Sequence, residues 1–140
     1  MPSSLSWDDS RVMMAVRRGA TRAVVSIAYQ VLEYATNSIM GTAKSGTVYR
    51  RRGVSHRASA PYEPPASDTG RLAASGRVIV PDQADLFEIK ASVSWSTRYA
   101  PLLELGTARM APRPYARPAL AAIRPRLEPA VAAEIRKELG

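Results

Sequence analysis

Cysteine is absent from the chain, which rules out a disulfide framework, a thiolate metal site and a thiol nucleophile together. Histidine occurs once, at His56, and phenylalanine once, at Phe87. A lone imidazole gives no metal constellation, and no Ser-His-Asp arrangement can be built around it by spacing. A solvated loop histidine accounts for it more simply. Aromatic residues form only 6% of the 140 positions, so a core must come from small and branched aliphatics. Such a core is expected to be thin, which makes help from a partner subunit plausible. No apolar run approaches the roughly 20 residues of a membrane-crossing helix. Met1 to Asp9 is polar and acidic, without the basic start and apolar stretch of a secretion signal. A protein made in the cytoplasm, where it assembles, is the simplest expectation, with no membrane partner.

Acidic residues are also scarce, 12 against 20 basic ones, for a formal charge of +8, and 17 of the basic residues are Arg. A basic balance favours nucleic acid, acidic surfaces or anionic membranes as partners and says nothing of fold. Arg dominance suits bidentate contact with phosphate or carboxylate. A GC-rich coding sequence would produce the same bias.

What is present is 46% hydrophobic, enough for one domain spanning 1–140. Val12, Val16, Ala20, Ala23, Ile27, Val31 and Tyr34 recur at helical spacing, widened by Val24, Ala28, Leu32, Ala35 and Ile39. They predict a helix from about Ser10 to Met40, capped by Ser6, Asp8 or Asp9 and stopped by Gly41. At about 45 Å it is longer than the domain needs, so either Gly19 bends it or one end projects. Lys44, Arg50, Arg51, Arg52 and Arg57 follow with no acid among them, on a loop or a pair of loosely held strands. Pro61, Pro64 and Pro65 keep the chain extended to Ser67. An extended loop at 44–67 is of a length usually functional or ordered only on binding.

Thr69 to Ser75 reads as a short helix capped by Ser67 or Asp68 and stopped by Gly76, and Arg77 to Val80 as a strand. Phe87, Ile89, Ala91, Val93 and Trp95 alternate with Glu88, Lys90, Ser92, Ser94 and Ser96. That is a half-buried antiparallel strand of about 30 Å, joined to its predecessor by a hairpin loop at 81–86. Pro101 to Leu105 suits one helical turn ended by Gly106. From Pro118 a last helix turns Leu120, Ile123, Leu127, Val131, Ile135 and Leu139 inward, kinked or restarted near Pro125. The sum is α+β: a long N-terminal helix, a basic and proline-rich loop, a small antiparallel sheet and a C-terminal helix.

No enzyme emerges from these residues. Asp68-Thr69-Gly70 is the tripeptide of aspartic proteases, but Ala66-Ser67 before it and Arg71 after it do not suit a carboxylate that shares a proton. A helix cap explains Asp68 with less. Gly106-Thr107 lacks the glycines and lysine of a phosphate loop. Glu104, in an apolar turn, is expected to pair with Arg109, Arg113 or Arg117. No cofactor or metal is expected.

Three blocks in order, Asp68-Thr69-Gly70-Arg71-Leu72, then Tyr99-Ala100-Pro101 with Glu104-Leu105-Gly106-Thr107, then Arg113-Pro114-Tyr115-Ala116-Arg117-Pro118-Ala119-Leu120, carry a resemblance. With Val48 to Arg52, Ala58 to Pro61 and Pro64-Pro65 upstream, they resemble the tail-completion (neck, or head–tail connector) proteins of long-tailed bacteriophages over roughly residues 44 to 120. The resemblance implies a structural virion protein, present as a symmetric ring, a hexamer, that helps a finished tail attach to a DNA-filled head. It implies neighbours among head-completion or connector proteins and tail-tube or terminator proteins. Under it Glu104 is structural, and the Arg113 to Pro118 connector fixes the last helix, so that removing the Arg117 and Pro118 side chains should impair folding. The Lys44 to Arg57 cations face either DNA in the channel, by phosphate contact without sequence readout, or a neighbouring protein. Alternatives are a tail terminator ring capping the tail tube and, from another class, a basic nucleic-acid-binding module. Against the last stand the single Phe and the scatter of Arg over several elements.

Overall fold

The helical spacing of the first third becomes one continuous helix, α1 (Asp9–Gly41), in the computed structural model, which describes residues 8–82 and 88–140. Of the three candidate caps Asp8 does the capping, its carboxylate accepting the Arg11 N–H at 3.2 Å and so satisfying one orphan donor of the first turn. Ser6 lies outside the described residues.

The buried stripe keeps a strict four-residue stride through Ala15, Gly19, Ala23, Ile27, Val31, Ala35 and Ile39, with Ala28 beside it. In the first half this differs from the expected Val12, Val16 and Ala20, which are only half-buried, and Tyr34 is exposed. The cause is α5 (Leu127–Leu139), which lies along this half of α1. Close approach of two backbones selects the smallest side chains over the most hydrophobic ones. Gly19 is the closest point: a Cβ there would stand 2.9 Å from the Glu134 carbonyl and the Ile135 nitrogen. Gly19 is therefore a crossing point, and α5 covers this half of α1. Arg18 and Arg22 reach across to Glu138 and Glu134 at 3.1 and 3.4 Å, with a second Arg22–Glu138 contact.

The strands form two separate two-stranded antiparallel sheets. The first, β1 (Val48–Arg51) and β2 (Val54–Arg57), lies inside the segment expected as a loop or a pair of loosely held strands, and is the second of these. After the short α2 (Arg71–Ala74), β3 (Gly76–Ile79) pairs with β4 (Ser92–Trp95), Gly76 opposite Trp95 and Ile79 opposite Ser92. The expected long strand is thus four residues, because β3 offers only four partners. Its alternation still holds in burial, Ile89, Ala91, Val93 and Trp95 half-buried and Glu88, Lys90, Ser92, Ser94 and Ser96 exposed. Phe87 and most of the hairpin loop at 81–86 lie outside the described residues.

α3 (Ala100–Leu105) is followed by α4 (Ala116–Ile123). The chain then makes a 3-10 turn at Arg124–Arg126 and restarts as α5, the restart expected from Pro125. Pro129 is the third residue of α5, where no backbone donor is needed. Ile123 is buried, but Leu120 and Leu139 are about half exposed, and Ala119 takes the inward place instead.

The core gathers Ile27, Val31, Ala35 and Ile39 of α1 against Leu72, Ala100, Tyr115, Ala119 and Ile123. Among the described residues six of the twelve buried apolar ones are alanine. Trp95 meets the Tyr115 ring edge-on, centroids 4.9 Å apart at 85°, and the Tyr115 hydroxyl donates to the Ala100 carbonyl at 3.2 Å. Burial, then the Glu104 carboxylate, pushes the Tyr115 phenol up to about 12.

Candidate functional site

The basic segment is a β-hairpin. Arg52 and Gly53 both have positive φ, 51° and 79°, as a two-residue turn matched to strand twist requires. The register sets Val48 opposite Arg57, Tyr49 opposite His56, Arg50 opposite Ser55 and Arg51 opposite Val54. Because side chains alternate, one face carries Tyr49, Arg51, Val54 and His56, and the other carries Val48, Arg50, Ser55 and Arg57. Arg52 holds a left-handed conformation disfavoured for side chains with a Cβ. Asparagine tolerates it better, so Arg52→Asn is expected to stabilise the hairpin by about 0.5–1 kcal/mol. Slower amide exchange in β1 and β2 is the readout.

The first face is turned to the body by Asp68, whose carboxylate pairs with Arg51 and stands 3.6 Å from His56 Nε2. Tyr49 and His56 stack, centroids 5.6 Å apart at 25°. His56 is thus half-buried between a ring and a carboxylate, not a solvated loop residue. Nor is Asp68 a helix cap: α2 begins after Gly70 (φ 75°) with no side-chain cap, and Arg51 takes the carboxylate instead. Arg71 is exposed, while Leu72 is buried in the core.

The base of the hairpin is closed by Glu63. Its carboxylate accepts the Ser45 N–H at 3.0 Å, the Ala60 N–H at 2.8 Å and the Ser45 hydroxyl. Beside it the Gly46 N–H donates to the Ala58 carbonyl and the Ala58 N–H to the Thr47 carbonyl, both at 2.9 Å. Arg57 also donates to the Gly46 carbonyl. Lys44 does not face outward with the other cations. It is drawn in to donate to the Ser38 carbonyl at 2.9 Å, one of the orphan carbonyls of the last turn of α1, and burial lowers its ammonium pKa. The Ser45 hydroxyl, then the Ala60 and Ser45 amides, hold the Glu63 carboxyl down at about 2. A depressed carboxyl stabilises the folded form above its unfolded value of 4.5 and loses that contribution as pH falls toward 2. The Ser45 and Ala60 amide resonances are therefore expected to move together across that acidic window. Glu63→Gln should abolish the movement; titration unchanged by that substitution would remove Glu63 from the role.

Glu63 was not singled out from the sequence. Its signal was available: it is the sole acid between Glu33 and Asp68.

On the body side, Glu104 serves the start of α4. Its carboxylate accepts the backbone N–H groups of Tyr115, Ala116 and Arg117 at 2.8, 2.9 and 2.9 Å. The next residue, Pro118, has no N–H, so the three orphan donors of the first turn of α4 are all satisfied. Glu104 thus caps a helix in place of the expected ion pair with Arg109, Arg113 or Arg117. Arg117 contributes its main chain, and its side chain is exposed, as is Pro118. Arg113 is held by Ser59, donating to its carbonyl and hydroxyl at 3.3 and 3.1 Å, and by the Ala111 carbonyl. Pro114 keeps Arg113 extended, and the Arg113 N–H donates to the Leu103 carbonyl. Gly106, at φ 74°, lies where a Cβ would meet the Met110 carbonyl and Pro112 at 2.8 Å. Thr107 closes that tight turn by bridging to Met110.

Between hairpin and body lies an open cleft of about 360 Å³, lined among others by Tyr49, Arg51, Asp68, Arg71, Tyr99 and Leu103. Among the described residues no group of three or more His, Asp or Glu is placed to hold a metal ion, and no helix is long and apolar enough to cross a membrane. What the arrangement offers chemically is a set of rigidly footed guanidinium groups, Arg50, Arg52 and Arg57, on an exposed ribbon. Comparison with family models, with curated proteins and with solved structures gave no match to the chain.

Proposed function

We propose that the protein is a structural subunit of a ring at the head–tail joint of a long-tailed phage or prophage-derived particle, completing the tail for attachment to the DNA-filled head. The reading starts from the resemblance over residues 44 to 120. One structural observation supports it: the residues that carry the resemblance fasten a projecting ribbon to the helical body. Arg51 to Asp68 and Arg113 to Ser59 are two such fastenings. A projecting element on a small domain with a thin core suits a subunit that is completed by neighbours, and a closing heterologous interface is what a ring requires. Exposed Tyr62, Leu102 and Leu105 (72%, 51% and 56%) add apolar surface for such contacts. In this reading the protein is a hexameric virion component, assembled in the host cytoplasm, and catalyses nothing.

Electron microscopy of particles made without this protein tests the reading. Filled heads beside unjoined tails of normal length are expected. Overlong or ragged tails would move the assignment to a tail terminator, and intact virions would reject both.

A further inference from the structure

The outward face of the hairpin has a composition that selects its partner. Arg50 and Arg52 have no ion-pair partner among the described residues, in contrast to Arg51 on the opposite face. Among the described residues Arg57 hydrogen-bonds to a backbone carbonyl, that of Gly46, at 3.1 Å, and has no ion-pair partner. Val48, half exposed, lies at the base of this face, directly opposite Arg57 in the register and two residues before Arg50 on the same strand. The aromatic residues of the hairpin, Tyr49 and His56, are stacked on each other on the other face, so this face has no ring to offer an unpaired base. The footing at Glu63, Asp68 and Ser59 holds the ribbon in place before any partner arrives, which lowers the entropy lost on docking.

We infer that the Val48, Arg50, Ser55 and Arg57 face, with Arg52 at its tip, docks an acidic protein segment in which carboxylates alternate with branched aliphatic side chains. An aliphatic side chain with one guanidinium group opposite it and another next to it along its own strand matches that pattern in both parts. Carboxylates take the forked guanidinium donors in pairs, and Val48 buries against the aliphatic side chain between them. A phosphate backbone would use the charges and leave Val48 in water. The inference names the partner chemistry of the hairpin within the ring reading, but it rests on the ribbon alone and can fail alone.

The test is fluorescence anisotropy of the full chain with a labelled peptide of alternating glutamate and valine, its glutamine–valine counterpart, and a short duplex DNA. The acidic peptide is expected to bind, and to bind more weakly as salt rises. Arg50→Gln combined with Arg52→Asn should weaken it about fivefold to tenfold, two exposed pairs together reaching about 1 kcal/mol or somewhat more. Asparagine suits the turn, so the variant keeps its hairpin. Val48→Thr should weaken binding at high salt as well, which charge alone would not produce. Arg124→Gln combined with Arg136→Gln removes the same charge from elsewhere and should leave binding unchanged. Equal loss in that control, no binding of the acidic peptide, or tighter binding of duplex DNA with the same Arg50 and Arg52 dependence would each overturn the inference. Failure here together with unjoined heads and tails would leave the ring reading standing.

Discussion

Replacing Glu104 by alanine is expected to lower the stability of the protein by about 2–4 kcal/mol. The carboxylate accepts three backbone N–H groups at the start of α4. A hydrogen bond to a charged group contributes about 1.5–3 kcal/mol, and loss of a single cap about 0.5–2 kcal/mol. The three share one acceptor, so their losses do not add. Because native domains are stable by only about 5–15 kcal/mol, this is a large fraction. Glu104→Gln keeps one acceptor oxygen and should fall between the variant and the parent. Arg117→Ala retains its N–H and loses only an exposed side chain, so it should stay within about 0.5 kcal/mol of the parent. Urea denaturation with an unchanged m-value measures all three. An Arg117→Ala loss as large as that of Glu104→Ala would restore the side-chain role that the sequence alone assigned to Arg117.

Gly19→Ala is a test of sign. In an open helical position the change would stabilise by about 1 kcal/mol, since glycine is a poor helix former. Here the new methyl would stand 2.9 Å from three backbone atoms of α5. No side-chain rotamer can relieve that contact, so the two helices must separate. Overpacking of this kind costs about 1–3 kcal/mol, and a net loss is expected. Gly19→Val should lose more, with α5 becoming susceptible to proteolysis before the rest of the chain. Gly41→Ala, with nothing within 4 Å of the new methyl, is the matched control and should be neutral or slightly stabilising. A stabilised Gly19→Ala would mean that α5 does not cross α1 so closely.

Elements with a strong period were legible from sequence. The stride of α1, the restart at Pro125 and the alternation through Trp95 each follow from which side chains can share a face, a local property of the backbone. Their lengths and exact faces were less so. The stripe on α1 shifted from Val12 and Val16 to Ala15 and Gly19 because the identity of the neighbour, a helix backbone, decided which side was inside. The strand around Val93 was cut to four residues because its partner was short.

The candidate surface divided in the same way. Five cations with no acid between them marked the basic segment from sequence alone, as a loop or a pair of loosely held strands, without its turn at Arg52 and Gly53. That Lys44 would turn inward to α1, that Asp68 would leave the helix end for Arg51, and that Glu63 would close the base were not readable. A carboxylate fits a helix cap, an ion pair or a loop clasp equally well until distance chooses among them. Composition, period and turn chemistry thus determined which elements this chain makes and where its charge accumulates, because those depend on neighbours along the backbone. The tertiary structure alone decided which donor each carboxylate meets and which arginines remain unpaired, because hydrogen bonds and ion pairs form over about 3 Å between residues that are far apart in sequence.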